Sequence, residues 1–545
     1  MSAGLTGLGM RRRQSLPLMP IVSALLLLLA VALFIVELLN FSQQEDTLTA
    51  DITVGGVEVG GLSPSEAVAK WQKAYASPVV LYYENSPILL DPASIGFRTN
   101  RDAMLAAARA QSDRQASFWI RFLNHLTRQE FQQKESIPLT ADYQQNLLQQ
   151  FLKDISARYD RPPGKPGYDL QTLTSYPGTS GYVLDIDAAM KAVDKALRDP
   201  NNRTVVLPLK TETAPSPNIN TLRDLIVNYL DSQGWIYDGQ KTVASIFISD
   251  LKTGDEVNLL GDVAVSAAST AKVAILIDYF RYLAFAPSKE DAWLMVNSLL
   301  CSNNSSSNLI MQIIGGNDLA KGLADVNQDT HYIGARNTFL TAPFALGIKG
   351  QQLFSIPAPT TAPNPNFNTR ADPFNQTTTE DLGTMFTMIY DCAKYGSGLM
   401  AAYPNGEFTQ TECQQMLNLM SDNDLLRLLQ GGIPKGVRIA HKNGWVSDTH
   451  GDAGIVFPPN GHDYVIAVFL WADTDFLDYN VGWPLIEGVS RAAWNYFSPE
   501  SPLLQPRADV PTAAQECKYF APPDEDSVDL NNPNGVRISS ASPSS

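Results

Sequence analysis

The spacing of apolar and polar residues changes several times along the chain, and each change predicts an element. From Gln14 to Val36 there is no charged residue, and from Ile21 onward Leu, Val and Ala dominate. That length is enough to cross a hydrocarbon core as a helix. Further on, Val54-Gly-Gly-Val-Glu-Val-Gly-Gly-Leu-Ser-Pro-Ser-Glu-Ala67 sets alternating valines between glycine pairs, predicting a short strand with tight turns. Ser63, Pro64 and Glu66 read as the N-cap, N1 and N3 of a helix running through Trp71. Val79–Tyr83 and Thr204–Leu209 read as extended apolar runs. Val243–Ser249 alternates as a strand and turns at Asp250-Leu-Lys-Thr-Gly254 into a returning strand. Ala453–Phe457 and Tyr464–Trp471 read as further strands. Helices are predicted around Thr221–Leu230, over the apolar run after Ser269, and from about Pro484 to Phe497.

A weak repeat lies between these elements. Gly96-Phe-Arg-Thr-Asn100-Arg-Asp102-Ala103 matches Gly181-Tyr-Val-Leu-Asp185-Ile-Asp187-Ala188, and both run into Ala-rich helices. Two strand-helix units in one α+β module account for this; two helix starts that share caps account for it too. Ala214-Pro-Ser-Pro217 is a stiff boundary. From Ser498 the chain is rich in Pro, Ser, Asp and Asn, a composition unable to bury a core.

Arg11, Arg12 and Arg13 precede the apolar stretch, and this order places the bulk of the chain outside the membrane. No A-x-A-like cleavage site comes after Val36, so an uncleaved anchor is expected over a signal peptide. A length of 545 residues requires more than one core. The net charge of −16 argues against nucleic acid, whose phosphates demand a Lys/Arg surface. The four cysteines, Cys301, Cys392, Cys413 and Cys517, form no zinc motif; Cys392 with Cys413 is the favoured pair, and four free buried thiols are the alternative. The five histidines show no metal spacing, and no cofactor is called for.

The candidate chemistry lies between residues 218 and 497. Ser269 and Lys272 stand one turn apart at the start of a predicted helix. A serine hydroxyl needs an adjacent base, and a lysine stripped of water becomes neutral and supplies one. Downstream, Ser302-Asn303-Asn304 precedes a helical stretch, and His441-Lys442-Asn443-Gly444-Trp445 precedes a strand. On a strand, His441 and Lys442 point to opposite faces.

These three motifs, in this order on helix, loop and strand, resemble the Ser-x-x-Lys, Ser-Asp-Asn and Lys-Thr-Gly set of class A β-lactamases and penicillin-binding proteins. Asp-Leu-x-Thr-Gly before the nucleophile, Asn308-Leu309 and Asp452-Ala-Gly-Ile-Val extend the likeness. The resemblance implies a β-lactamase-like α/β sandwich with an antiparallel sheet flanked by helices. It implies Ser269 as acylated nucleophile, Lys272 as its base, Ser302 as proton shuttle, and Asn304 as a hold on the substrate amide. It implies Lys442, Asn443, Gly444 and Trp445 as substrate-binding residues, with the N–H groups of Ser269 and Trp445 forming the oxyanion hole. Residues 51–213 resemble the peptidoglycan-binding domain that accompanies vancomycin-resistance W-type proteins, carried by the Val-Gly-Gly segment and the Gly-x-x-x-Asp unit. The implied partners are a β-lactam or peptidoglycan peptide, the cell wall, and the cell membrane through one helix with a cytoplasmic N-terminus.

The expected fold class is therefore multidomain α+β. A cytoplasmic tail (1–15), a transmembrane anchor (16–39) and a stalk (40–50) lead to an α+β module (51–213). A linker (214–217), a serine hydrolase domain (218–498) and a disordered tail (499–545) complete it.

Departures from the family pattern qualify the chemistry. Asn303 replaces the usual Asp, and Asn443 replaces a hydroxyl residue. No glutamate occurs between Glu290 and Glu380, where class A enzymes carry the residue that activates the deacylating water. Glu380 and Asp372 are distant substitutes. Ser269 and Ser302 are 33 residues apart, about half the family's spacing, which predicts a trimmed subdomain of short helices. Slow deacylation is expected. The rival reading is a cell-wall binding protein that keeps the fold without catalysis.

Overall fold

The computed structural model describes residues 18–43, 47–48, 52–115, 118–127, 135–235, 241–284, 287–344, 347–423 and 425–512. Arg11–Arg13, residues 44–46 and 49–51 of the stalk region, Cys517 and the tail beyond 512 lie outside the described residues. The chain divides into two compact units, residues up to 163 with 180–213, and residues 164–179 with 214 onward.

In the first unit a helix runs from Leu18 to Gln43, longer than the 16–39 expected. Its Val22–Ser42 stretch is long and apolar enough to cross a membrane by length and composition. The unit's core gathers Trp71, Tyr75, Leu148, Leu152 and Val193, and Leu48, read as polar stalk, is buried within it. Ser63 and Glu66 form the expected reciprocal capping box for helix Pro64–Ala76. The repeat marks two like helix caps: Ala103 N–H donates to Asn100 Oδ1 at 3.1 Å, and Ala188 N–H donates to Asp185 Oδ1 at 3.0 Å. The strands leading into them pair with different partners, Arg98–Thr99 with Ala141–Asp142 and Gly181–Leu184 with Leu209–Glu212.

The second unit is built on a five-stranded antiparallel sheet. Its strands are β1 (Thr242–Asp250), β2 (Glu256–Leu259), β3 (Arg438–Trp445), β4 (Thr449–Phe457) and β5 (Tyr464–Ala472), in the order β2-β1-β5-β4-β3. Both faces are covered, so β5 reads as one continuous apolar run with every residue buried. Val465, Ala467 and Phe469 face one core, and Ile466, Val468 and Leu470 face the other. Against the second core pack α1 (Ile219–Ser232) and α8 (Tyr479–Phe497). The first core takes α2 (Lys272–Tyr282), α3 (Lys289–Leu300), α4 (Asn304–Ile314), α5 (Leu319–Tyr332), α6 (Thr379–Tyr395) and α7 (Gln410–Ser421). This is the expected sandwich, and it sets the free edge of β3 beside the start of α2. A single helix, α3, separates α2 from α4, as the short spacing predicted.

Four expectations are corrected. Helix α8 starts at Tyr479, not near Pro484, because Asp478 caps it by accepting from Asn480 N–H at 2.8 Å, leaving the proline inside. The hairpin Gly167–Tyr176, assigned from sequence to the first module, belongs to the second unit: Asn495 Nδ2 of α8 donates to the carbonyls of Thr172 and Leu173 at 3.0 Å. Residues 499–512 are ordered, because Leu503 N–H donates to Asn495 Oδ1 and Arg507 donates to the carbonyls of Gln430 and Ile433. The alternative of free thiols falls: Cys392 of α6 and Cys413 of α7 form a disulfide, and Cys301 is also disulfide-bonded.

Gly383 of α6 lies directly on Phe247 of β1, where an added Cβ would sit 2.3 Å from the ring. Gly383→Ala is expected to destabilise the unit by about 1–3 kcal/mol in chemical unfolding. Adding Phe247→Ala should make the double variant's loss smaller than the sum of the two single losses; strict additivity would refute this close packing.

Candidate active site

Three separate pieces of chain meet at Ser269. The first is a 3-10 turn, Ala268–Ala271, that leads directly into α2. Ala268 sits at φ +50°, a left-handed conformation costly for a residue with a Cβ. Asn375 holds it there: Asn375 Nδ2 donates to Ala268 O at 2.8 Å, and Ala267 N–H donates to Asn375 O at 3.0 Å. Ser269 is half-buried, and Lys272 is fully buried.

The second piece is the turn between α3 and α4. Asn303 caps α4 by accepting from Ser306 N–H at 2.9 Å, which an aspartate would do equally well. Its replacement of the family's Asp is thereby explained. Asn297 Nδ2 donates to Ser306 Oγ at 3.1 Å, and Ser298 and Ser307 share a hydroxyl hydrogen bond of 2.8 Å, fastening α3 to α4. Ser302 itself is at φ +54°.

The third piece is β3, the edge strand. Lys442 and His441 point to opposite faces, as the strand period predicts. Lys442 Nζ donates to Ser302 Oγ at 3.2 Å, whereas His441 Nδ1 meets both carboxylate oxygens of Asp452 at 3.0 Å. Gly444 packs so closely that an added Cβ would lie 2.6 Å from Ser269 N and 3.0 Å from Thr270 N. Val446 N–H donates to Thr449 O at 2.9 Å, so the next pair, Trp445 with His450, is non-hydrogen-bonded. In such a pair the Trp445 N–H turns outward, to the free edge.

Ser269, Ser302 and Asn304 converge on Lys272 Nζ. It lies 2.9 Å from Ser269 Oγ and donates to Ser302 O at 2.7 Å, Ser302 Oγ at 3.2 Å and Asn304 Oδ1 at 2.9 Å. Burial pushes its pKa well below the usual lysine value, and the nearby Lys442 charge pushes it further down. Burial also lowers Lys442, to about 8, against the opposing pull of Asp452. The arrangement contains a hydroxyl with an amine of lowered pKa beside it, flanked by a second hydroxyl and a second amine. That is nucleophile-and-base geometry.

Two site residues escaped the sequence reading. The Phe344 ring lies 4.9 Å from Lys272 Nζ and keeps water from it. Asn308 fixes that ring's backbone reciprocally: Asn308 Nδ2 donates to Phe344 O at 3.1 Å, and Phe344 N–H donates to Asn308 Oδ1 at 2.9 Å. Asn375 is the other, with a buried Oδ1 that has no partner among the described residues. Asn308 was visible as part of the motif environment, but its partner 36 residues on was not. The two substitute carboxylates are engaged elsewhere: Glu380 Oε1 accepts from Asn258 Nδ2, and Asp372 Oδ1 accepts from Phe374 N–H. Neither has a hydrogen bond to Ser269 or Lys272. Asn443 is buried, and its Oδ1 accepts from Asn423 Nδ2 at 3.0 Å, leaving its own Nδ2 as the free end.

Residues 292–497 match the family model described as "Beta-lactamase enzyme family". Residues 88–206 match the "Putative peptidoglycan binding domain" model. The first match includes Ser302, Asn304 and Lys442–Trp445, and begins after Ser269 and Lys272. No curated relative matches the chain. Among solved structures it is similar to PBP-A (23% identity, 52% of this chain and 97% of that one, TM-score 0.38). It is also similar to a β-lactamase from Sphaerobacter thermophilus DSM 20745 (18% identity, 52% and 98%, TM-score 0.37). The second unit thus contains a region similar to the β-lactamase enzyme family, and the stretch upstream is similar to a peptidoglycan-binding domain.

Gly444→Ala should force β3 away from the turn that carries Ser269, at about 1–3 kcal/mol in chemical unfolding. An unchanged unfolding midpoint would disprove the close approach.

Proposed function

We propose that the chain is a membrane-anchored, extracytoplasmic serine hydrolase. It forms an acyl-enzyme at Ser269 with β-lactams or D-Ala-D-Ala-like peptidoglycan peptides and releases it slowly. The observation that carries this reading is the fully buried Lys272, whose amine lies 2.9 Å from the Ser269 hydroxyl with its pKa pushed down.

Neutral Lys272 takes the proton of Ser269 Oγ as that oxygen bonds to the substrate carbonyl carbon. The carbonyl oxygen, now an anion, is received by the N–H groups of Ser269 and Trp445. As the carbon–nitrogen bond breaks, Ser302 passes a proton to the leaving nitrogen and is reprotonated from Lys272. Asn304 positions the substrate amide, while Lys442 and the free Nδ2 of Asn443 receive the substrate carboxylate. Deacylation then needs a water and a base. The substitutes Glu380 and Asp372 are engaged elsewhere, which supports slow release and behaviour closer to a penicillin-binding protein than to a fast antibiotic hydrolase.

The apolar helix Leu18–Gln43 supports membrane attachment, and the upstream family match supports an outward, wall-facing location. A second reading, a wall-binding protein without catalysis, draws on Asn443, whose amide oxygen is tied to Asn423.

Labelled penicillin should mark the wild-type chain and leave Ser269→Ala unmarked, with intact-mass spectrometry reporting an adduct that outlasts minutes. Turnover without an accumulating adduct would remove the slow-release claim, and absence of any adduct would favour the second reading. The acylation rate should rise with pH as Lys272 loses its proton and fall as Lys442 loses its charge near pH 8. In Lys442→Met the alkaline fall should vanish. The acid limb should move to higher pH, because a repelling charge beside Lys272 is gone. An acid limb that stays in place would show that Lys272 is not the titrating base.

A further inference from the structure

On the far side of the sheet from Ser269, α1, α8, the hairpin and the strap 499–512 line an open cleft of about 590 Å³. That is within the usual range for small-ligand sites. Its lining includes Arg491 of α8, which is only 7% exposed. The Nε and Nη1 groups of Arg491 are buried and make no hydrogen bond, and no carboxylate lies within ion-pair distance of it among the described residues. A buried guanidinium left this way is unfavourable unless an anion joins it.

The other charges of the wall are already matched. Glu487 holds Arg427 from the same helix, one turn before Arg491. Arg507 is bidentate with Asp509, with Nε and Nη2 donating at 2.9 Å to each oxygen. One unit of positive charge is left, which fits a monoanion better than a dianion. Two glycines let the walls pack closely on each other. A Cβ at Gly432 would lie 2.3 Å from the Glu487 carbonyl, and one at Gly488 would lie 2.0 Å from the Tyr229 hydroxyl. The rest of the lining offers amide and hydroxyl groups, among them Gln171, Ser232 and Gln233.

We propose that this cleft is a second ligand site, taking a small amide-bearing carboxylate, such as the free C-terminus of a short peptide, on the Arg491 guanidinium. The amide groups of the lining exchange hydrogen bonds with the ligand's peptide bond, and the carboxylate replaces the missing counter-ion. The site is independent of Ser269 and of the proposed acyl chemistry.

The test uses the full chain in detergent with N-acetylalanine, N-acetylalaninamide and inorganic phosphate as probes, read by thermal unfolding and calorimetric titration. N-acetylalanine should bind and raise Tm, and the amide should not. Phosphate should bind at least tenfold more weakly. Arg491→Met should raise the ligand-free Tm, since it removes an unpaired buried charge, and should weaken N-acetylalanine at least tenfold. Gln233→Trp fills the cleft from an exposed position and should weaken it equally, so the outcome stands even if Arg491→Met fails to fold. Equal binding of acid and amide, phosphate as tight as the carboxylate, or binding retained in Gln233→Trp would overturn the proposal. No binding by the wild type would do so as well.

Discussion

The second unit is organised around the removal of an ammonium group from water. Lys272 has no exposed surface, no carboxylate partner among the described residues, and a second lysine, Lys442, that reaches the same Ser302 hydroxyl. Buried like charges without a counter-ion disfavour protonation of at least one of them. The fold therefore has to hold in place an amine whose charged form is disfavoured by burial and by the neighbouring Lys442. It does so with neutral acceptors: two serine oxygens, a backbone carbonyl and the Asn304 amide oxygen. Four oxygens surround one nitrogen, one more than the three N–H groups of an ammonium serve at once; in the neutral form the lone pair accepts the Ser269 hydrogen and two N–H groups are shared among the other three oxygens.

The surrounding packing serves that arrangement. The sheet is buried on both faces, so β3 is a rigid edge, and Gly444 lets its backbone approach the start of α2 more closely than any side chain would permit. On the other face of the strand, His441 pairs with the buried carboxylate of Asp452. The Leu429 N–H also donates to Asp452, linking the turn under α8 to β4 beside the strand that carries Lys442. Phe344 closes the remaining side of Lys272 and is held there by the Asn308 side chain.

Much of this was legible in the sequence because the motifs lie on regular elements. The separation of Ser269 from Lys272 is set by a helical turn, and the opposite orientation of His441 and Lys442 by strand alternation. The strands β1, β4 and β5 are readable from the apolar residues at Val243–Ser249, Ala453–Phe457 and Tyr464–Trp471. What was not legible depends on contacts between remote segments. Phe344 and Asn375 flank a Pro- and Asn-rich stretch without periodicity, and only tertiary structure brings the first to Lys272 and the second to Ala268. The hairpin Gly167–Tyr176 was misassigned for a similar reason, since it is attached by remote contacts: Asn495 Nδ2 of α8 donates to the Thr172 and Leu173 carbonyls, Asn228 of α1 donates to the Tyr168 hydroxyl, and Leu173 is buried in the second core. Residues 499–512 have the composition of disorder, yet single hydrogen bonds between side chains and remote backbone groups order them, a pattern that composition does not reveal.

Ala268 and Ser302 flank the reactive groups, and both occupy a backbone region in which glycine would be more comfortable. Each is therefore a local loss of stability that neighbouring interactions must offset. Such positions are the ones a search for thermal robustness would relax first, by glycine or by a shift of the turn. Heat tolerance gained that way would come at the expense of reactivity, so hardening of this domain has to begin elsewhere, in the sheet or its covering helices.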